Sequence, residues 1–310
     1  MYTQQFPSRS RRRALPLLAA VAASFLLVSC AAPAATDEGT PPVDAGTDPT
    51  FAPVAAAVDL VPEALRESGT LRVAMPTNEP PTQYYREGTK EMTGINPDMA
   101  RLVAGALDLE LEIVVTNFDS IIPGLSADRF DMTVASMSVT EERMETLDFV
   151  DYIQMGSAIA TPSGNPEKIQ LKDLCGERVG MLTGSYQLTA RIPAVVEECE
   201  AAGDKAPEIL QFQDTRQAIT AMLSGRSDVV YADLPILSFA AKQNDKIEIA
   251  DTNTLSPVGM GIRRDTGLTE AVAAAMTAVA ASDEYTALLD QYGMAQAAID
   301  EARVNAPAEG

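Results

Sequence analysis

A short stretch of the chain, SMSVTEER, brings three hydroxyl side chains close to an arginine. Ser136, Ser138 and Thr140 alternate along it, and Arg143 follows within one helical turn. The preceding run DRFDMTVASM (128–137) is typical of a β-strand, whereas Thr140 followed by two glutamates is typical of a helix N-terminus. Hydroxyl and guanidinium donors that converge on such a turn predict a site for a ligand with a carboxylate.

The composition of the chain excludes several classes of function. Its 310 residues include 23 lysines and arginines, 44 aspartates and glutamates and no histidine, for a formal net charge of −21. Nucleic acids require a basic surface, so we expect no nucleic-acid partner. Without histidine, neither a Ser-His-Asp triad nor a histidine-ligated zinc site can form. Glycine-rich phosphate loops, CxxC and EF-hand patterns are also absent from the sequence, so we expect no metal and no organic cofactor.

Residues 1–29 predict a targeting segment. Four arginines precede the uncharged run 14–29, which is shorter than the roughly 20 residues that cross a membrane. The run ends in LVSC, which resembles a bacterial lipobox and implies cleavage before Cys30 with a lipid on that cysteine. A plain secretory signal, in which Cys30 has no special role, is the alternative.

Residues 30–57 predict a disordered tether. The segment is rich in alanine, proline, threonine and glycine and has no apolar period, so it cannot bury a core. Its reach of roughly 30 Å would hold the folded part near a membrane without embedding it.

Two further cysteines, Cys175 and Cys199, predict a disulfide. Outside the cytoplasm an even pair is more often joined than free, and closing a loop of about 25 residues stabilises a fold by roughly 3 kcal/mol. Two buried free thiols are the alternative.

The rest of the chain alternates strands and helices in two series. LRVAM (71–75) has the alternation of a half-buried strand, and GINPDMARLVAGALDL (94–109) places its apolar residues on one helical face. This pattern predicts an α/β fold with two lobes, each a mostly parallel sheet flanked by helices, and a ligand cleft between them. The predicted boundaries are 58–160 and 260–300 for the first lobe, 161–259 for the second, and 301–310 for a C-terminal tail.

Seven segments follow one another with the order and spacing of one protein family. They are GTLRVAMPTNEPP (69–81), GINPDMARLVAGAL (94–107), FDSIIPGL (118–125), RFDMTVASMSVTEER (129–143), LDFVDY (147–152), VGMLTGSYQ (179–187) and GRSDVVYAD (225–233). From about residue 60 to 293 the chain resembles the polar amino-acid-binding proteins of bacterial ABC importers, solute-binding family 3, which have the type II periplasmic-binding-protein-like fold. The resemblance implies two lobes that close over one amino acid, with hinge strands near 158–162 and 256–261.

The resemblance also assigns a carboxylate site. Arg143 matches the arginine that forks onto the α-carboxylate of the ligand, and Ser138 matches a hydroxyl and N–H that share it. Ser136 lies where the family lines the same pocket. From the other lobe, Ser185 and the Tyr186 amide match the donors at a helix N-terminus that complete the anion site.

The remaining matches concern the ammonium group and the side chain of the ligand. Asp233 matches the carboxylate that accepts the α-ammonium, and Phe118 matches the aromatic ring that packs on the ligand. Glu79 departs from the family, which commonly has an aromatic residue near this place. An acid here suits a ligand with a cationic or amide side chain, and a plain surface glutamate is the alternative. The usual proline before Tyr152 is also missing, because Asp151 stands there.

Each assignment has an ordinary structural alternative. Arg143 could pair with Glu141, Glu145 or a neighbouring helix on a solvated face. Asp233 or Ser185 could be a helix cap only, and Phe118 could belong to the core.

These patterns together predict a monomeric, lipid-anchored extracytoplasmic receptor that captures a polar amino acid and passes it to an ABC permease. Two alternatives stay open. One is a receptor for a compatible solute or another small cation, held by tyrosines near the cleft. The other is a periplasmic dehydratase of prephenate-like acids on the same fold, although we expect no enzyme.

Overall fold

The computed structural model describes residues 48–307. The predicted signal peptide, the lipidation site Cys30 and most of the predicted tether lie outside these residues. The described part forms two α/β lobes, each with its own sheet and hydrophobic core. No helix within residues 48–307 combines the length and the apolar character that crossing a bilayer requires.

The elements of both lobes follow the predicted alternation. The α-helices of residues 48–307 are α1 (Ala55–Val58), α2 (Glu63–Ser68), α3 (Ile95–Ala106), α4 (Ile121–Ser126), α5 (Glu141–Met144), α6 (Ile192–Ala202), α7 (Thr215–Leu223), α8 (Leu234–Gln243), α9 (Leu268–Ala280) and α10 (Asp283–Gln291). The strands are β1 (Thr70–Met75), β2 (Tyr84–Tyr85), β3 (Met92–Thr93), β4 (Glu110–Val115), β5 (Met132–Ser138), β6 (Leu147–Met155), β7 (Ser157–Pro162), β8 (Arg178–Leu182), β9 (Glu208–Phe212), β10 (Val229–Asp233), β11 (Ile247–Thr252) and β12 (Ser256–Arg263).

The sheet of the first lobe has the order β4-β1-β5-β12-β6. Strands β4, β1 and β5 are parallel, and β12 runs antiparallel to both of its neighbours. Apolar clusters cover both faces, with α3, α9 and α10 on one side and α4 on the other. Every residue of the central strand β5 is buried, as a strand covered on both faces requires.

The sheet of the second lobe has the order β11-β7-β10-β8-β9. Strands β10, β8 and β9 are parallel, and β7 is the strand that runs against its neighbours. The two sheets therefore share one design, with a single reversed strand in each, and the predicted mostly parallel two-lobed fold is confirmed. The predicted disulfide is present between Cys175, before β8, and Cys199 on α6.

The chain crosses between the lobes at two places. Gly156 joins β6 to β7, and residues 253–255 join β11 to β12. The two crossings are bonded to each other, because the Ser157 N–H donates to the Asn253 side-chain oxygen (2.6 Å) and the Asn253 N–H donates to the Ser157 carbonyl (3.0 Å). Such a short, double connection is typical of a hinge.

The lobe boundaries of the structure precede the predicted ones by a few residues. The sequence places them after residues 160 and 259, whereas Ser157 already pairs within the second sheet and Ser256 within the first. The predicted hinge strands 158–162 and 256–261 therefore lie inside β7 and β12. The lobe boundaries are set by strand pairing between segments that are distant in sequence. A local hydrophobic pattern carries no information about this pairing.

Residues 48–57, the end of the predicted tether, pack against the first lobe instead. Ala57 on α1 is fully buried, and the Val54 N–H donates to the carbonyl of Ala106 at 2.9 Å. The backbone of Phe51 lies so close to Gly105 that a Cβ there would be 2.6 Å from its oxygen. The folded part thus begins before residue 58.

The described part of the predicted C-terminal tail, residues 301–307, also packs on the first lobe. Residues 303–305, here called the C-terminal strap, extend the sheet beside β6. The Asp151 N–H donates to the Arg303 carbonyl (3.0 Å), Val304 bridges to the same strand, and the Asn305 N–H donates to the Phe149 carbonyl (2.9 Å). A proline at position 151 would lack the first of these donors.

The Asp151 carboxylate makes a further contact with the C-terminal strap. It is 1% exposed, and its Oδ2 accepts from the Arg303 guanidinium at 3.1 Å. Burial raises the pKa of Asp151 to about 6, against the opposing effect of Arg303. The Arg303 guanidinium therefore compensates for the burial of the Asp151 carboxylate charge.

We expect Arg303→Ala to lower the free energy of unfolding by about 1–3 kcal/mol at pH 7, because it leaves the buried Asp151 carboxylate without its cation. Arg263→Ala is the matched control. Arg263 pairs with Asp128 at 2.6 Å, but the side chains are 39% and 67% exposed, so water screens the pair and its loss costs less than about 1 kcal/mol. Urea unfolding monitored by circular dichroism compares the two variants, and equal losses would contradict the role given to the strap.

Candidate ligand-binding site

A pocket lies between the lobes, at the carboxyl ends of β5, β8 and β10, where ligands of open α/β sheets bind. All eight residues that the sequence predicts for ligand binding line it: Arg143, Ser138, Ser136, Asp233, Ser185, Tyr186, Phe118 and Glu79. The fold brings these eight residues together around one pocket. Their individual roles in ligand binding stay predictions.

Ser136 reaches the pocket through a bulge in β5. The pairing of β5 with β12 shifts register between Gly259 and Gly261, and Ser136 adopts a left-handed φ of 53° there. The Ser136 N–H donates to the Tyr152 hydroxyl at 2.9 Å, and its own hydroxyl accepts from the Asn96 amide at 3.0 Å. These bonds compensate for the irregular backbone and fix the direction of the side chain.

Arg143 lies on α5, which Thr140 caps as predicted by accepting from the Arg143 N–H at 3.3 Å. The Arg143 side chain is buried, which contradicts the alternative of a solvated helix face. Its guanidinium donates to the Ser138 carbonyl (2.8 Å) and, across the cleft, to the Gly184 carbonyl (3.0 Å). It also lies over the ring of Phe118, 5.7 Å from the ring centre.

The environment of Arg143 lowers its pKa to about 10, mainly because burial disfavours the charged form. The side chain is still a cation at neutral pH. A guanidinium has five N–H donors, so the two carbonyl bonds leave donors for a bidentate anion.

The second lobe contributes the turn after β8. Gly184 has a φ of 76°, which favours glycine, and this turn aims the Gly184 carbonyl at Arg143. The Ser185 hydroxyl accepts from the Leu188 N–H at 3.3 Å, so Ser185 does cap the following turn. It also lines the pocket, so the cap and the pocket position are not exclusive.

Asp233 ends β10 and precedes α8. Its carboxylate makes no capping bond to that helix and accepts instead from the Gln187 side chain at 2.7 Å. The cap-only alternative is therefore wrong. Burial raises the pKa of Asp233 to about 6, while Gln187 and Arg143 act in the opposite direction.

Gln187 is a site residue that the sequence reasoning missed. It is buried, lines the pocket and bridges Asp233 to Ser157 at the hinge, with 2.7 Å to each oxygen. Its position two residues after Ser185 in TGSYQ is the signal that could have found it.

Glu79 is 2% exposed, so the alternative of a plain surface glutamate is wrong. Its Oε1 accepts from the Thr215 N–H at 2.6 Å, and among the described residues its Oε2 has no hydrogen-bond partner. Burial, with smaller contributions from the nearby Asp233 and Asp214 carboxylates, raises the pKa of Glu79 to about 8, against the opposing effect of its bond to Thr215.

Thr215 is the second residue that sequence reasoning missed. It is the first residue of α7, whose N-cap Asp214 accepts from the Gln217 N–H at 2.8 Å. The Thr215 N–H is thus one of the free donors at a helix N-terminus, where a carboxylate is favoured.

Hydrogen bonds between described residues cross the cleft and define a closed arrangement of the lobes. Arg143 of the first lobe reaches Gly184 of the second, and Glu79 of the first reaches Thr215 of the second. Among the described residues that line the pocket, the charged side chains are those of Arg143, Asp233 and Glu79, which sum to −1 when all are ionised.

We expect the closure of the ligand-free protein to weaken as the pH rises. In the closed form the pKa of Glu79 is about 8, whereas in an open, solvated cleft it returns toward the ordinary 4.5. The closed form therefore keeps a proton that the open form has lost between about pH 4.5 and 8, and it loses this advantage across that window. Small-angle X-ray scattering should show the radius of gyration increasing from pH 5 to 8.5.

Glu79→Gln should remove most of this dependence, since its amide oxygen can still accept from Thr215 without titrating. A weaker dependence near pH 6 remains from Asp233. An unchanged pH profile in this variant would show that other groups control the opening.

Known proteins resemble this chain over most of its length. An arginine-binding protein of Corynebacterium glutamicum is 28% identical over 303 residues, which are 97% of this chain and 98% of that protein. A probable amino-acid ABC transporter periplasmic-binding protein of Sinorhizobium fredii is 31% identical over 205 residues, 64% of each chain. The solved structure of an ancestral arginine-binding protein bound to glutamine is 30% identical with a TM-score of 0.65, over 73% of this chain and 98% of that one.

The family profile agrees with the fold and with the order of the sequence segments. The profile of the bacterial extracellular solute-binding proteins, family 3, matches residues 71–295, which include both sheets and every residue of the pocket. The chain belongs to the bacterial extracellular solute-binding proteins of family 3.

Proposed function

We propose that this protein captures one polar α-amino acid in the cleft and delivers it to an ABC importer. The observation that carries the proposal is the pairing of opposite charges in one pocket. Arg143 from the first lobe and Asp233 from the second line it together. A zwitterion needs an anion site and a cation site at short separation, and this pocket offers both.

The free bonding capacity of the two residues matches the two ends of a zwitterion. Arg143 keeps N–H donors beyond its bonds to Ser138 and Gly184, so it can fork onto an α-carboxylate. The Asp233 carboxylate uses one oxygen for Gln187 and can accept further bonds from an α-ammonium. Phe118 would pack against the ligand beside the guanidinium.

Ligand capture would proceed by closure about the Gly156 and 253–255 hinge. A ligand stabilises the closed form only by the contacts that the closed form alone provides. Arg143 and Asp233 belong to different lobes, so a ligand that binds both gains its second contact on closure.

The names of the relatives support a polar amino acid. One relative is an arginine-binding protein, one is a probable amino-acid transporter component, and one solved structure holds glutamine. Binding rather than catalysis is the function we propose, and formation of phenylpyruvate from prephenate would contradict it.

A thermal-shift screen against the twenty amino acids, ornithine and citrulline tests the proposal. A ligand at about a hundred times its dissociation constant adds roughly 2.7 kcal/mol of stability, which raises the unfolding midpoint by several degrees. We expect a narrow group of polar amino acids to do so. No shift with any of them, in protein free of co-purified ligand, would contradict amino-acid capture.

Arg143→Ala should weaken binding of that ligand by more than about thirtyfold, because the α-carboxylate loses its charged partner in a desolvated site. Arg226→Ala is a matched control, since Arg226 also stacks on a ring, that of Phe212, but lies on the surface away from the pocket. Isothermal titration calorimetry measures both. Binding that survives Asp233→Ala would instead favour a compatible solute without an α-ammonium.

The cellular setting of the proposal rests on the sequence. We propose a monomer that is attached to the outer face of the membrane by a lipid on Cys30 and meets its permease there. Mass spectrometry of the mature protein from its host should show a lipidated N-terminal cysteine, and Cys30→Ala should release the protein from the membrane fraction. An unmodified N-terminus at another residue would indicate a plain secretory signal.

A further inference from the structure

We propose that Glu79 contacts the side chain of the ligand and selects amino acids whose side chain ends in a cation. This inference rests on the proposed function, because it concerns the far end of the same cleft. It assigns a specificity residue and a ligand class to a position where the sequence departs from its family.

The first argument is the unpartnered oxygen of Glu79. The side chain is 2% exposed and lines the pocket, yet only Oε1 has a partner, the Thr215 N–H. Among residues 48–307 nothing bonds to Oε2. A buried carboxylate with one bare oxygen is costly unless a donor or a cation meets it. The cleft therefore offers an acceptor that a ligand can satisfy.

The second argument is the charge of the cleft. Arg143, Asp233 and Glu79 sum to −1 when ionised, and no other described residue that lines the pocket is charged. A zwitterion with a neutral side chain adds nothing to this sum. A zwitterion with a cationic side chain brings it to zero, which a site closed away from water favours.

The third argument is the position of Asp233 near both other charges. Arg143, Asp233 and Glu79 line one pocket, and the Asp233 carboxylate acts on the pKa of Arg143 and on that of Glu79. An amino acid that binds Arg143 by its carboxylate and Asp233 by its ammonium would have Glu79 in the remaining lining of the pocket to meet its side chain.

The bond to Thr215 connects this selectivity to closure. Glu79 belongs to the first lobe and Thr215 to the second, so Glu79 loses water when the lobes meet. A cationic side chain neutralises Glu79 at that moment. A neutral side chain leaves the carboxylate to take up a proton or to keep the lobes apart.

L-arginine and L-citrulline form a matched pair of probes. Citrulline replaces the guanidinium by a neutral ureido group of nearly the same shape, and both share the same zwitterion. By calorimetry at pH 7 we expect the wild-type protein to bind arginine at least a hundredfold tighter than citrulline. Glu79→Gln should reduce this ratio to below tenfold, mainly through weaker arginine binding.

Glu87→Gln is the control for the loss of a nearby acid, since Glu87 lies in the turn between β2 and β3, is exposed and does not line the pocket. It should keep the wild-type ratio. Arg143→Ala should weaken both probes alike, because they share the α-carboxylate.

Proton linkage provides a second measurement that needs the wild-type protein only. Since the pKa of Glu79 is about 8 in the closed cleft and near 4.5 when solvated, citrulline binding to the open cleft at pH 7 should take up close to one proton. Arginine binding should take up much less, because its cation keeps Glu79 ionised. Titrations in buffers of different ionisation enthalpy measure the difference.

The outcomes separate this inference from the function on which it rests. If both probes bind with the same ratio in the wild type and in Glu79→Gln, or with equal proton uptake, Glu79 is a closure contact and does not select the ligand. Tight binding of a neutral amino acid alone would overturn the selectivity and keep the receptor function. Failure of every amino acid to bind would overturn the receptor function itself.

Discussion

The closed cleft depends on how charges are compensated when they leave water. Arg143, Asp233 and Glu79 approach one space that both lobes enclose, and each must exchange hydration for bonds. Each first-lobe charge has a partner on the second lobe, the Gly184 carbonyl for Arg143 and the Thr215 N–H for Glu79, and Arg143 also donates to the Ser138 carbonyl of its own lobe. Lobe closure therefore removes these charges from water and at the same time provides their hydrogen-bond partners. A ligand in the cleft affects both the closure and the compensation of the charges.

The fold places the ends of its strands at the cleft, where these charges lie. In each lobe the parallel strands finish at the cleft, so short turns rather than long loops hold the polar groups. Local irregularities aim them: the bulge at Ser136 and the positive φ of Gly184 turn individual groups inward. The hinge adds to the site, because Ser157 beside Gly156 receives the Gln187 amide that also holds Asp233.

Sequence patterns predict those parts of the protein that local chemistry encodes. Strand and helix periodicity indicates two α/β lobes, and the resemblance of the segments, together with the departure from it at Glu79, indicates eight residues that do share the pocket. The patterns fail where distant segments meet. Thr215 enters the site because the lobes approach each other, and no local signal records this. The lobe limits and the C-terminal strap depend on strand pairing, and the burial of Glu79 depends on the second lobe covering it.

The bare oxygen of Glu79 is best understood through the two states of the hinge. In an open cleft water solvates the carboxylate, so its cost is incurred only on closure. The raised pKa expresses the same cost as a preference for the protonated form. A ligand that supplies a positive charge at this point removes the cost, whereas a neutral ligand of equal shape does not. Selectivity then depends on the free energy of lobe closure with each ligand bound, as well as on individual contacts. Two ligands that contact the same atoms can stabilise the closed form to different extents.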